Sequence, residues 1–494
     1  MSDRRPATKR VAIIAGGVAG LATALNLLDQ AKARGLDLQV EVFEKETEPG
    51  GNLRTLRKDG WQLEWGPNGF LDSEPATLRL VERLGLRDEL LVSSDVTRRR
   101  FLLVNGRLEE IPLSPPAFLK SGMLPLGAKL RMAGELFVPA RKNLGQAETR
   151  PETDETIAEF GERRLGKAFA ETMLDPMVKG VFGGEAKQLS LAAAFPRMVE
   201  LENNYGGLFK AMIALGRKKK GKDKTDAGPK GVLTSFKGGM AALIEGLAHA
   251  LNDHDRARLH LGTDIQRLDL NDGQWTVISA GGSFGPFDLV VDAAPAHAAA
   301  QHLTSLDPEA ARMLRDIPFA PMAVVALGFG RDRVSHDLQG FGLLVPGKEK
   351  RDLLGALWTS SIFPGRAPDG HVLVRCMAGG AGNPSIMELD DEELTRVICA
   401  ELRPLLGLQG PPAMVNIIRH TRAIAQYVPG HLSQLRRTEE RLAQLPGLHL
   451  TGSSYRGIAV NACVKQAEIL AQSIVEGLLD PARADNPPAA KEAH

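Results

Sequence analysis

Val11-Ala12-Ile13-Ile14-Ala15-Gly16-Gly17-Val18-Ala19-Gly20-Leu21-Ala22-Thr23-Ala24-Leu25-Asn26-Leu27-Leu28 is the stretch on which the fold turns. A short β-branched run from Val11 to Ile14 predicts a strand. Gly16, Gly17 and Gly20 predict a tight turn, and the helix formers from Leu21 predict a helix with an apolar stripe. Strand, glycine turn and helix in this order place a helix N-terminus beside a strand end. There the free N–H groups and the helix dipole favour an anion, and glycine lets the backbone approach it. After Gly35, Val40-Glu41-Val42-Phe43-Glu44 alternates apolar and acidic residues. It predicts a second, parallel strand ending in a carboxylate, and in a dinucleotide-binding unit Glu44 holds the ribose hydroxyls.

Arg4, Arg5, Lys9 and Arg10 precede this uncharged run, so a signal peptide or membrane helix is the competing reading. The glycines cluster in the first half of the run, and Asp29, Lys32 and Arg34 follow at once. Glycine clustering suits a turn rather than an inserted helix, and no other stretch nears the roughly 18 apolar residues of a membrane span.

Over 494 residues, a formal net charge of +1, 43% hydrophobic and 24% charged residues describe a neutral chain with enough apolar surface for two or three packed units. Neutrality argues against nucleic acid as a partner. Cys376, Cys399 and Cys463 are far apart, which excludes a disulfide scaffold, a zinc knuckle and a dithiol pair. They fit a reducing cytoplasm, and no metal site is expected. With aromatics at 5%, a large apolar ligand must rest mainly on aliphatic side chains.

Glu48-Pro49-Gly50-Gly51-Asn52-Leu53-Arg54-Thr55 resembles the GG-x-x-RT motif of flavoproteins built like glutathione reductase and amine oxidase, whose glycines and arginine lie along the FAD diphosphate and ribityl chain. Directly after Glu44, it favours FAD over NAD. Gly281-Gly282-Ser283-Phe284-Gly285 opens no helix pattern and reads as a hairpin turn. With neither a second nucleotide turn nor a dithiol, a reduced flavin would pass electrons to dioxygen or a quinone, which points to an oxidase or desaturase.

From Trp65 onward the chain resembles the oxygen-dependent, FAD-containing protoporphyrinogen oxidases, over about residues 11 to 477. The motifs run in order: Gly66-Pro67-Asn68-Gly69-Phe70-Leu71; Arg99-Arg100-Phe101 before Asn105-Gly106-Arg107-Leu108; Gly180-Val181-Phe182-Gly183-Gly184 with Leu189-Ser190 and Ala193-Ala194-Phe195. Phe236-Lys237-Gly238-Gly239-Met240, Asp292-Ala293-Ala294-Pro295, Ser360 to Pro364 with Arg366-Ala367-Pro368, and Gln426-Tyr427 before Gly430-His431 follow. Leu450 to Asn461 resembles the strand, loop and helix start that face the isoalloxazine. Alanine stands at 15, 425 and 459, where the family pattern carries glycine, proline and glycine.

The resemblance implies an α/β fold: a Rossmann-type FAD-binding domain (1–75, 230–300 and 415–480), a mixed-sheet substrate domain (76–111 and 301–414) and an inserted helical, membrane-associating domain (112–229). Residues 481–494 read as a flexible tail. It implies oxidation of protoporphyrinogen IX to protoporphyrin IX by dioxygen, in heme and porphyrin biosynthesis. Cofactor-binding positions carried over are Ala15, Gly16, Gly17, Val18, Ala19, Gly20, Glu44, Lys45, Gly50, Gly51, Asn52, Leu53, Arg54, Gly66, Pro67, Asn68, Ile265, Ala294, Gly452 and Val460.

Asn68 and Gly180 match positions beside the reacting ring, where a carbonyl stabilises positive charge as hydride leaves. Desaturation by hydride transfer needs alignment more than a side-chain base, so no general base is named. For the substrate, Arg100 is the expected propionate anchor, Phe363 a platform for a pyrrole ring, and Leu344, Leu357 and Met377 are apolar walls.

Expected partners are a tetrapyrrole and dioxygen, in the cytoplasm. Contact with an anionic membrane at its inner face through Arg217 to Lys222, and a homodimer, stay open. Also open are coproporphyrinogen III as substrate, a flavin amine oxidase with Tyr427 and Tyr455 as its cage, and a carotenoid desaturase. A porphyrin-binding protein without turnover is the non-enzyme reading, motivated by Ala15, Ala425 and Ala459.

Overall fold

The computed structural model describes residues 8–220 and 231–480. Arg4 and Arg5, the basic run beyond Lys220 and the segment 481–494 lie outside the described residues.

Five parallel strands form the first sheet, in the order Ala257–His260, Leu38–Phe43, Lys9–Ile14, Leu289–Asp292, Leu448–Leu450. Val11 registers with Val40 and Leu289, and Ile14 with Phe43 and Asp292. Both faces are covered, which explains the continuous apolar run of the first strand. Val11, Ile13, Val40 and Val42 pack into a core with the helices Val18–Ala33, Ala241–Asn252 and Val460–Leu479. Ala12, Ile14 and Phe43 face a three-stranded antiparallel sheet through Trp275 and Phe287. That sheet contains the expected hairpin, Gln274–Ser279 paired with Gly282–Phe287.

A seven-stranded mixed sheet forms the second unit, in the order Met414–Ala425, Phe319–Gly330, His371–Gly379, Leu353–Leu357, Gly342–Leu344, Phe101–Val104, Arg107–Glu110. One face, carrying Val325, Leu343, Ala356 and Cys376, is buried beneath the helix Asp391–Leu406 through Leu394, Ile398, Leu402 and Leu406. Two boundaries differ from expectation. This sheet continues to Ala425, because Met414–Ala425 pairs along Phe319–Gly330 instead of joining the cofactor unit. The helix Pro75–Arg83 belongs with the cofactor unit, since its apolar face packs against Val460–Leu479 and Thr77 bonds Asn461 at 2.8 Å.

Between Pro115 and Lys220 every regular element is helical. This insert leaves large apolar side chains in solvent, including Leu126 at 74% and Phe137 at 88% exposure. Among the described residues no helix is long and apolar enough to cross a membrane.

Candidate functional site

The glycine turn makes a bare helix N-terminus. Gly17 is the N-cap, no side chain caps the helix, and its first turn carries no acid. A Cβ on Gly17 would meet nothing within 4 Å, and one on Gly51 only the Gly17 Cα at 3.8 Å, so both glycines border open space. Gly20 is required for a different reason: its Cβ would lie 2.0 Å from the Ala15 carbonyl oxygen. Ala15 has φ 78°, the left-handed conformation expected where glycine is usual. The other two alanines are unstrained. Ala459 has φ −80° as the N-cap of the last helix, and Ala425 ends a paired strand opposite Phe319.

Glu44 is 5% exposed, and its carboxylate accepts hydrogen bonds from the Gly16 N–H at 2.7 Å and the Glu46 N–H at 2.9 Å. The turn therefore fixes the acid at the second strand's end, as the alternating sequence implied; Lys45 and Asn52 are exposed beside it. Gly50 donates to the Gly16 carbonyl at 2.8 Å and Leu53 to Gly50 at 2.9 Å, which docks the GG-x-x-RT segment against the turn. Ala293 donates to Ile14 at 2.9 Å, Thr451 to Asp292 at 3.1 Å, and Gly452, at φ 116°, lies over Ala19. Ala294 and Val460 are buried in these same loops, while Ile265 is buried beyond Asp292.

Two polar groups here lack partners. Both amide atoms of Asn68 are buried and unbonded, as is Nε of Arg54, whose guanidinium lies 5.3 Å over the Trp65 ring. An unmet buried polar group costs about 1–3 kcal/mol, so such groups mark where a ligand completes the structure. Together with the open helix N-terminus and the open space at Gly17 and Gly51, these residues fit a flavin cofactor that carries an anionic group.

The wall residues come together on the sheet face opposite the helix Asp391–Leu406. Leu344 registers with Gly355 and Gly355 with Met377; Gly342 registers with Leu357 and Leu357 with Arg375. Leu344, Leu357 and Met377 are half-buried while their sequence neighbours Leu343, Ala356 and Cys376 are fully buried. Gly355 supplies no side chain between Leu344 and Met377, and the Leu344 side chain packs over it: a Cβ there would lie 3.1 Å from Leu344 Cδ2. Gly180, on the helix Asp175–Phe182, lies directly against Leu344: a Cβ on it would be 2.6 Å from Leu344 Cδ2.

Arg100 immediately precedes Phe101, which registers with Leu343. Arg98 pairs with Asp95 at 2.9 Å and Arg99 with Glu110 at 3.0 Å, whereas Arg100 lies 5.2 Å over the Phe341 ring. Among the described residues Arg100 has no carboxylate partner, so it is the uncommitted cation of the run. Phe363 departs from expectation. It is 1% exposed with the Arg366 guanidinium 5.5 Å over its ring, a core position closed off by a cation instead of an open platform.

Arg375 was not singled out by the sequence reading. Its guanidinium donates to the Gly66 carbonyl at 2.7 Å and the Glu64 carbonyl at 3.3 Å, on the segment that leads into Asn68. Burial pushes its pKa down to about 10. His420 meets the Trp65 carbonyl at 3.0 Å, and burial lowers its pKa. Glu64, its pKa raised by burial, accepts from Thr55 and Met240 and lies 3.7 Å from Arg366. No local signal marks these residues, because each acts on a segment distant in sequence.

Tyr427 is unavailable as a cage wall. It is 1% exposed, and its hydroxyl donates to Ser453 at 2.7 Å and accepts from Gly457 at 2.9 Å, bracing the C-terminal loop.

A Rossmann-type glycine turn with an acid at the second strand's end, joined to a mixed sheet with a half-buried apolar face, is an arrangement that suits a flavin-dependent oxidoreductase. The model of the flavin containing amine oxidoreductases matches residues 18–475, and the chain belongs to that family. It is 28% identical over 477 residues to the coproporphyrinogen III oxidase of Bacillus subtilis (strain 168), covering 95% of this chain and 97% of the relative. It is 31% identical over 481 residues to the mitochondrial protoporphyrinogen oxidase of Nicotiana tabacum, covering 93% of each. A solved structure from Exiguobacterium sp. 255-15 superposes with TM-score 0.79 at 26% identity, over 96% of this chain and 100% of that one. The cyclohexylamine oxidase of Brevibacterium oxydans shares the fold, with TM-score 0.65 at 19% identity over 96% of this chain and 100% of that one.

Proposed function

We propose that the protein is an FAD-dependent oxidase that converts protoporphyrinogen IX to protoporphyrin IX with dioxygen as acceptor. The observation that carries the reading is the half-buried apolar face of Leu344, Leu357 and Met377, with Gly180 packed against Leu344 and Arg375, in register with Leu357, bonded to the Gly66 carbonyl two residues before the unpartnered Asn68. Such a face suits a broad apolar macrocycle.

FAD, when bound, accepts hydride from the macrocycle and returns the electrons to dioxygen. The chain's own residues bind and align. The bare N-terminus at Gly17 would hold the diphosphate, Glu44 the ribose, and Arg54 would bind between them and the flavin ring. Asn68, with both amide atoms free, orients its carbonyl toward the carbon that becomes positive. Arg100, held on Phe341 and unpaired, takes a propionate. The exposed apolar side chains of the helical insert support attachment to a membrane surface, through which an apolar substrate is delivered.

Coproporphyrinogen III is the second reading, favoured by the similarity to the Bacillus subtilis enzyme. Anaerobic mixing with each porphyrinogen in parallel tests both. The reading expects rapid flavin bleaching by protoporphyrinogen IX and, in air, porphyrin fluorescence with about three peroxides per porphyrin, from three two-electron steps. Bleaching by coproporphyrinogen alone selects the second reading, and bleaching by benzylamine overturns both.

A further inference from the structure

We propose that a polar cleft between the helix Ala296–Leu303 and the strand end at Thr421–Arg422 is a binding site for an organic oxyanion, separate from the cofactor cradle and the apolar substrate face. The cleft has a volume of about 590 Å³, opens to solvent on the side of the exposed Arg315, Thr421 and Arg422, and shares no lining residue with either site. That volume suits a small organic molecule and far exceeds a bare phosphate.

Its shape follows from one proline. Ala320 registers with Ile424, but Met322 registers with His420, so Thr421 to Ala423 stand opposite Pro321 alone. Pro321 has no N–H to donate to the ladder, and the partner strand bulges, turning Thr421 and Arg422 out of the sheet. Arg315, at the end of the helix Pro308–Arg315, reaches the same cleft.

The charges are uncommitted. Arg312 pairs with Glu309 and Asp316, and Arg419 with Asp391. Three residues further along each segment, Arg315 and Arg422 have no carboxylate partner among the described residues; Arg315 meets only the Thr304 hydroxyl, at 3.5 Å. His297, in the same cleft, has a buried Nδ1 with no partner. Its ring stands edge-on to Phe319 at 5.2 Å. Burial and the nearby charges of Arg422, in the cleft, and Lys45, at the rim of the cofactor cradle, lower its pKa.

The Thr304 hydroxyl donates to the Ala300 carbonyl at 2.8 Å, so two guanidinium groups, an unpartnered imidazole nitrogen and the Thr421 hydroxyl are the groups of this cleft that suit an oxyanion. Phe319 and Pro318 also line an adjoining, more apolar cavity of about 510 Å³, which suits the ligand's hydrocarbon part. The ligand class is therefore a phosphate ester or carboxylate on an apolar body.

Titration calorimetry of the flavin-loaded protein tests this with phenyl phosphate, benzoate and neutral benzyl alcohol. The proposal expects saturable binding of phenyl phosphate or benzoate and none of benzyl alcohol; the tighter of the two distinguishes ester from carboxylate. Arg315→Gln and Arg422→Gln should each weaken binding about 10-fold or more. Arg422→Lys should restore part of the loss, with flavin absorbance unchanged throughout. Absence of saturable heat overturns the proposal. So does equal affinity in both glutamine variants, or binding that Arg100→Ala abolishes and Arg422→Gln preserves, since the probe would then lie on the apolar substrate face.

Discussion

His302 Nδ1 lies 2.7 Å from the Asp292 carboxylate, both buried, at the point where the parallel sheet delivers its loop to the cofactor cradle. The other Asp292 oxygen accepts from the Ala294 N–H at 3.0 Å, and the His302 ring also bonds the Ile265 backbone. One ion pair thus fixes two of the expected cofactor contacts. Burial pulls the His302 pKa down, but Asp292 and the Ile265 carbonyl outweigh it, so the folded value is above 6.5. A raised folded pKa contributes stability that is complete below the unfolded value, about 6.5, and is lost as pH rises through the folded value. Denaturant melts from pH 6 to 9 should therefore show a decline that His302→Asn flattens. Parallel curves for the two proteins exclude the linkage.

Ala15 carries its positive φ in a turn that the fold itself holds, with its N–H bonded to the Phe43 carbonyl at 2.8 Å and its carbonyl packed against Gly20, so its strain is borne by the fold. Left-handed alanine costs roughly 1–2 kcal/mol, and glycine returns about 0.5–1 kcal/mol of that as lost chain entropy. Ala15→Gly should raise the stability of the protein by up to about 1.5 kcal/mol, the difference of those terms, and leave FAD affinity within about twofold. Melting curves and a flavin titration check both; a tenfold gain in affinity with unchanged melting would locate the strain in binding instead. Gly20→Ala, whose Cβ meets the Ala15 carbonyl, should lose the cofactor outright.

Arg100→Ala should raise the porphyrinogen KM by about 10- to 150-fold, the range of one charge-assisted hydrogen bond. A remote anchor binds ground and transition states alike, so kcat should change less. Arg98 and Arg99 are committed to Asp95 and to Glu110 and Asp337, and their alanine variants serve as controls. Three equal KM values would assign Arg100 to the solvated surface.

What the sequence made legible was local. The glycine turn and the acid closing an alternating strand follow from period and turn chemistry, whereas Leu344, Leu357 and Met377 are named only through the family resemblance. Their half-burial is what distinguishes Leu344, Leu357 and Met377 from core. Phe363 rests on the same resemblance, yet Arg366 arrives over its ring from beyond the next turn and closes it into the interior. Ala425 and Ala459 resemble Ala15 as departures from a pattern, but only backbone geometry shows that Ala15 alone is strained. Arg375 was invisible because its partners are carbonyls some three hundred residues earlier, joined to it only when the two units dock.

Arg375 is the last residue whose role can be tested apart from the cofactor's own chemistry. Its guanidinium is bonded to the carbonyls of Glu64 and Gly66, on the segment that leads into Asn68. Deleting it leaves those buried acceptors unmet, at about 1–3 kcal/mol each, and frees the segment to move. Arg375→Met keeps the volume and removes the donors; Arg375→Lys keeps a charge and one point of attachment. The methionine variant should therefore lower kcat for porphyrinogen by about 10- to 100-fold with a smaller change in KM, and shift the flavin absorption band as Asn68 moves. Lysine should restore part of kcat and most of the band position. If Arg375→Met melts lower but keeps kcat and the spectrum of the parent, the arginine is a structural tie only, and Asn68 is positioned by the Gly66-Pro67 backbone itself.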